Sequence, residues 1–372
     1  MDDVNAYRDE FPITQSTVYL NHAAVSPLPR RTAEAMRAQT ADIERFGLKN
    51  YGRWMETAGA LRVAAARLLG CGSGEIAITK NTSEGLSFVA NGLDWRAGDV
   101  VAGIRDEFPA NYFPWLRLEK RGVRLRWMDL RNGRIELADI DKACDGARLL
   151  AVSYVQYLSG FRLDLDAVGE ICRRRNVLLV VDAVQGLGPF PVNVKRSGIH
   201  ALSASGHKWL LGPEGCAIFF IDQGLVPRVE PVEFGWTNVA GSERYSHDPV
   251  LLPDARRYEC GTLNTVGIHG LRASLELLHE VGVERMAGHI DGLARRTIEG
   301  AAAKGYEPMT PRDSANGSGI VTIRKKGVDS AAAVMSLNDA GISTAHRFGW
   351  IRAAPHFYNN EADIDALLER LP

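Results

Sequence analysis

The chain has almost no net charge: 44 lysines and arginines stand against 45 aspartates and glutamates, a balance of −1 over 372 residues. Without a basic field, nothing in bulk draws in nucleic acid or an anionic membrane. No stretch approaches the roughly 18 consecutive apolar residues of a membrane span. The opening twelve residues are acidic where a secretory leader would be basic and then apolar, so a cytoplasmic location is expected. Five cysteines, Cys71, Cys144, Cys172, Cys216 and Cys260, are scattered without a CxxC pair or zinc spacing. That argues against a metal centre or disulfide framework and for reduced thiols. Also missing is a GxGxxG after a first strand, the mark of a dinucleotide-binding oxidoreductase. The one glycine-rich run, GCGSG at 70–74, follows a helical pattern and reads as a helix cap and turn.

What is present is a regular alternation. A chain this long favours two domains, and its 45% hydrophobic and 24% charged content suits a globular protein. Helical periodicity at 32–46 and 55–69 is followed by strand-like runs at 76–79, 100–104, 123–128, 149–155, 177–181, 200–205 and 216–221. Helical patterns at 86–93, 111–120, 137–144 and 165–175 separate the earlier ones. This predicts an α/β protein with a large, doubly wound, mainly parallel sheet. The texture changes near residue 260, where helices at 266–281, 283–303 and 330–340 accompany short strand pieces. The expected division is a large domain at 15–260 and a smaller α+β domain from 1–14 and 261–372.

The chemistry gathers between residues 176 and 215. One apolar run ends in Asp182, and the next ends in Ser205-Gly206-His207-Lys208, 26 residues further on. Strand ends of open α/β sheets are where ligands bind. A lysine able to form a Schiff base, with an acid to hold a pyridinium nitrogen, is what pyridoxal 5′-phosphate requires. Gln185 can donate to the cofactor's phenolic oxygen. Thr82 and Ser83 follow a strand and open a helix, a natural phosphate cradle, and Ser205 and His207 offer further donors. In the aromatic segment DEFPANYFPW, Phe108 is placed to stack on a planar ring. Arg352 can grip a substrate carboxylate bidentately. The small-residue loop NHAAVSPLP brings Asn21 and His22 as candidate substrate ligands. Long segments between 223 and 260 are candidate functional loops.

The motifs SGHKWLLGPEG, VDAVQ, ITKNTSEG, EFPANYFPW, YECGTLN and IRAAPHFYNNEADID together resemble the class V aminotransferase family. That family has the fold type I architecture and includes cysteine desulfurases, kynureninase and isopenicillin N epimerase-like proteins. The resemblance implies that Lys208 is the Schiff-base lysine, Asp182 the pyridinium partner, Gln185 the phenolic-oxygen donor and Arg352 the carboxylate arginine. Ser83, Ser205 and His207 look like phosphate ligands. Thr262 resembles the residue that reaches the phosphate of a neighbouring subunit, which implies a homodimer with shared active sites. Tyr157 falls where desulfurases carry an asparagine, and as a catalytic residue it would exchange a proton on the substrate face.

There is one marked departure. Desulfurases carry a catalytic cysteine shortly before the carboxylate arginine, whereas the segment at 341–350, GISTAHRFGW, has none. The implied activity is Cα deprotonation of an amino acid, leading to transamination, epimerisation or β-elimination. A protein that keeps the fold and cofactor only for binding is the other class of reading.

Overall fold

The computed structural model describes residues 4–241, 247–309 and 315–372; positions 242–246 of the long segment at 223–260, and residues 1–3, lie outside it. The chain starts with a short strand, β1 (Val18–Tyr19), then helices α1 (Arg30–Phe46) and α2 (Tyr51–Leu69). Gly70 ends α2 at φ 68°, a left-handed cap that explains the glycine there. Next come β2 (Ile76–Thr79), α3 (Thr82–Gly92), β3 (Val100–Ile104), α4 (Phe113–Leu116), β4 (Arg124–Met128) and α5 (Leu137–Cys144). They are followed by β5 (Leu149–Ser153), α6 (Leu165–Arg175), β6 (Leu178–Asp182), β7 (Ala201–Ser205) and β8 (Ala217–Ile221).

These strands form one seven-stranded sheet in the order β2-β8-β7-β6-β5-β3-β4, in which only β8 runs against its neighbours. The expected doubly wound, mainly parallel α/β fold is therefore present. Both faces are covered, as a parallel sheet demands. Alternate residues of one strand enter opposite cores: Leu150 and Val152 of β5 pack with α2 and α6, while Leu149 and Ala151 pack with α3 and Trp115. The helix expected at 111–120 is instead a single α turn, α4, between two 3-10 turns. Pro109 and Pro114 each stand in the opening turn of one of these short pieces, where a missing N–H costs nothing.

The remainder is α7 (Thr265–Val281), α8 (Val283–Ala303), β9 (Glu307–Pro308), β10 (Val321–Arg324), α9 (Ser330–Asp339), β11 (Ile342–Ser343), β12 (Ala345–Arg347), β13 (Trp350–Ala353) and α10 (Glu361–Arg370). A four-stranded antiparallel sheet, β12-β13-β10-β9, packs with α8, α9 and α10 around a third core. Two ties cross residue 260. Strand β1 pairs in parallel with β11, and α7 buries Ile268, Leu271, Leu275 and Leu278 in the core shared with α2 and the large sheet.

Candidate active site

Strands β3, β5, β6 and β7 are parallel, and β2 and β7 both run against β8. With β4, parallel to β3, six strands thus present their carboxyl ends at one edge, where an open α/β sheet places its ligand. Lys208, Asp182, Phe108, Tyr157 and Thr82 lie on the segments that leave this edge.

Lys208 is held by its backbone. Its carbonyl accepts the Leu211 N–H (2.9 Å) and the Ser26 hydroxyl (2.7 Å), and Ser26 also donates its N–H to His207 (2.8 Å). Leu211 is fully buried at φ 57°, a left-handed conformation that non-glycine residues seldom adopt. The small-residue loop that carries Asn21 and His22 thus also clamps the lysine loop, through Ser26. The amine lies 5.3 Å from the centroid of the Phe108 ring. Burial pushes its pKa down to about 8 despite the opposing pull of Asp182, and the charges of Arg352 and Arg347 push the same way as burial.

Asp182, the last residue of β6, is 2% exposed. One carboxylate oxygen accepts the Val184 N–H at 3.0 Å; the other, Oδ2, is buried without a partner. Desolvation raises this acid to about 6, against the smaller pull of Val184 and Lys208. An orphaned buried carboxylate oxygen is costly unless something is meant to meet it. Gln185 accepts the Trp209 indole N–H (2.8 Å) and donates to the Ala23 carbonyl (3.0 Å), which leaves its second amide hydrogen to give.

At the start of α3, Thr82 and Ser205 form a closed pair. The Thr82 N–H donates to the Ser205 hydroxyl oxygen (2.8 Å), the Ser205 N–H to the Thr82 hydroxyl oxygen (3.0 Å), and the two hydroxyls lie 2.9 Å apart. Only one hydroxyl can donate to the other, so one O–H remains for an anion at this helix N-terminus. Ser83 is exposed in the same turn, and His207 is half-buried with its pKa lowered by burial and by Lys208.

Phe108 is 43% exposed and meets the ring of Tyr157 edge-on, with centroids 5.5 Å apart. Burial, then Asp106 and Glu107, raise the Tyr157 hydroxyl above its ordinary range. At neutral pH it is therefore a proton donor and not a base. From the smaller sheet, Arg352 reaches in from β13, 2% exposed, and donates to the Tyr157 carbonyl at 2.8 Å. Its Nε has no partner, and burial lowers its pKa to about 10. A buried guanidinium without a carboxylate is costly to leave unpaired, a cost that an anion would offset.

Not every expected ligand belongs here. His22 is fully buried, with its ring nitrogens 2.7 Å from the Ala354 carbonyl and 2.8 Å from the Tyr358 hydroxyl. Burial lowers its pKa to about 4, so it is a neutral tie between the loop after β1 and the segment after β13, with no nitrogen to offer a substrate. Asn21, beside it, keeps a buried Oδ1 without a partner. Thr262 is exposed on the loop after Glu259.

One residue was given no role in the sequence reading. Glu107 is buried, and its carboxylate accepts the Ser153 N–H (2.7 Å) and hydroxyl (2.5 Å). Ser153 stands directly opposite Asp182 in the sheet. Desolvation, with a contribution from Asp182, raises Glu107 to about 7. The available signal was an acid inside an aromatic segment directly after a buried strand.

The depressed Lys208 has a direct consequence. In the cofactor-free chain, labelling of this lysine by an amine-reactive reagent is expected to rise through about pH 8, whereas exposed lysines rise near pH 10.4. Peptide mapping across a pH series checks this, and a midpoint with the exposed lysines would refute the burial argument.

A probable cysteine desulfurase from Methanothermobacter thermautotrophicus is 30% identical to this chain, over 98% of it and 96% of its own length. Among solved structures, the apo cysteine desulfurase of Thermococcus onnurineus NA1 matches with a TM-score of 0.91 at 27% identity, covering 99% of this chain and 97% of that one. A C-DES mutant with glycine covalently linked to its PLP cofactor shares the fold at a TM-score of 0.91 and 23% identity, over 98% of both chains. The family model for Aminotransferase class-V spans residues 18–367, which includes all the site residues from Asn21 to Arg352. With the doubly wound sheet and its fold type I neighbours, this shows that the chain belongs to the aminotransferase class-V family.

Proposed function

We propose that this protein is a pyridoxal 5′-phosphate enzyme that removes the Cα proton of an α-amino acid, with Lys208 as the base. The observation that carries the reading is a buried amine, lowered to about 8, whose surroundings include the unpartnered Oδ2 of Asp182 and the unpartnered Nε of Arg352. Each leftover group fits a part of the cofactor or substrate. Asp182 would hold the pyridine nitrogen, Gln185 the phenolic oxygen, Thr82, Ser83, Ser205 and His207 the phosphate, and Phe108 the ring face. When bound, the cofactor supplies an electron sink for the charge left at Cα.

The residues then divide the work. Arg352 holds the α-carboxylate and so fixes which bond at Cα faces Lys208. Lys208, lowered to about 8 so that far more of it is unprotonated near neutral pH than of an exposed lysine, takes the Cα proton. Tyr157, kept protonated, donates on the substrate face. Thr262, exposed on its loop, suits a contact to the phosphate held by a second copy, and a homodimer is part of this reading.

For the outcome, the relatives' names favour C–S bond cleavage, while the segment at 341–350 has no thiol to accept sulfur. β-Elimination of a sulfur leaving group from Cβ is therefore the reading we favour over persulfide transfer to the protein. Purified protein given pyridoxal 5′-phosphate is expected to gain a visible absorbance band and then to convert an amino acid with a sulfur leaving group on Cβ, such as cystine, to pyruvate and ammonia with release of the sulfur fragment, thiocysteine for cystine. Absence of the band removes the whole reading. Transfer of the amino group to an added keto acid, without sulfur release, would make the protein an aminotransferase instead.

A further inference from the structure

Strands β12 and β13 form a hairpin closed by Phe348 (φ 49°) and Gly349 (φ 82°), both in left-handed conformations, which is a two-residue primed turn. The turn fixes the register: Ala345 lies opposite Arg352 and Arg347 opposite Trp350. Residues two apart on a strand share a face, so Arg347 and Arg352 project from the same side at diagonal positions, about 7–8 Å apart at the backbone. The charge of Arg347 reaches Lys208, Tyr157 and Arg352 alike.

Among the described residues, no ion pair joins Arg347 or Arg352 to a carboxylate; Arg347 donates to the neighbouring His346 carbonyl (2.8 Å) and Arg352 to the Tyr157 carbonyl (2.8 Å). Two like charges on one face beside a lysine repel one another, and the fold bears that cost. An α-carboxylate can satisfy one of them. The other is left for a second anion on the same ligand, and its planar fork suits an oxyanion.

We propose, building on the amino-acid reading above, that the substrate carries a second anionic group on its side chain, a carboxylate or a sulfur oxyanion, which Arg347 receives while Arg352 holds the α-carboxylate. The hairpin then sets specificity: it occupies the segment that lacks the sulfur-accepting cysteine and presents an arginine from a rigid turn.

Equilibrium binding and kinetics test this together. By calorimetry, succinate is expected to bind the purified protein at least about tenfold more tightly than butyrate, a monoacid of the same length. Arg347→Gln should bring the two within twofold, and Arg347→Lys should keep part of the preference. In the holoenzyme, the preferences in kcat/KM for exchange of the Cα hydrogen with solvent, aspartate over asparagine and cysteine sulfinate over homoserine, should each fall about tenfold in Arg347→Gln, mainly through KM. The aspartate and sulfinate arms report which oxyanion is preferred. Equal binding of succinate and butyrate, or equal losses for anionic and neutral substrates, overturns the inference. Failure to form a visible band with pyridoxal 5′-phosphate would instead defeat the functional reading, while the succinate measurement still judges the arginine pair.

Discussion

Lys208→Ala is expected to lower turnover by at least about 10⁴-fold while the chain stays folded. The amine is the only group described at the sheet edge that combines burial, a pKa lowered to about 8 and a place against Phe108, Asp182 and Arg352. Its loss removes the anchor for the cofactor and the base for the Cα proton together, so no neighbour can compensate. Tyr157 is pushed the other way, toward its protonated form, and cannot serve as a base. The fold should tolerate the change. The lysine loop is held by its backbone, through Ser26 and Leu211, and the truncation discards a charge that burial disfavours. Lys208→Arg sharpens the test, since it keeps a positive charge beside Asp182 but cannot release a proton at neutral pH. Both variants should be equally inactive in single-turnover assays with near-native thermal midpoints. Substantial activity in Lys208→Arg would mean that charge, and not proton transfer, is what the position supplies.

The strand ends carrying Asp182 and Lys208 were legible because buried parallel strands read as uninterrupted apolar runs, and an acid or lysine that closes such a run stands out. The helix starting at Thr82 was legible for a similar reason. What could not be read was contact across the fold. His22 looked available beside a small-residue loop, yet its ring is satisfied by Ala354 and Tyr358, more than 300 residues away in sequence. Glu107 became a buried acid only because sheet register sets Ser153 against Asp182. Arg347 was hidden in the same way: nothing local tells that a tight turn at Phe348 and Gly349 folds it onto the face of Arg352. The helical pattern at 111–120 folds instead as short α and 3-10 turns, a change of helix type that periodicity alone does not show.

Asp182→Asn is expected to separate stability from activity, with opposite signs. In the folded, cofactor-free chain the carboxyl is raised to about 6, above its ordinary 3.8. For a folded pKa above the unfolded one, stability is fully present below about pH 4 and is lost as pH rises through about 6, because the fold must then ionise a buried group. The amide has no such transition. Relative to wild type, Asp182→Asn should therefore gain on the order of 2 kcal/mol between about pH 4 and pH 7.5. That change with pH does not depend on whatever the buried amide itself costs. Activity should fall by about 10²–10³-fold, because an amide oxygen can accept a hydrogen bond but carries no charge to hold a protonated ring nitrogen. Lys208 would also lose the anion that favours its charged form. Adding pyridoxal 5′-phosphate should reverse the order of stability, since the cofactor binds the wild-type site more tightly and stabilises it accordingly. Denaturant midpoints at the two pH values, with and without cofactor, read all of this at once. If the stability difference does not move with pH, Asp182 is not an unpaired buried acid. If the cofactor stabilises both chains equally, Asp182 is not its partner.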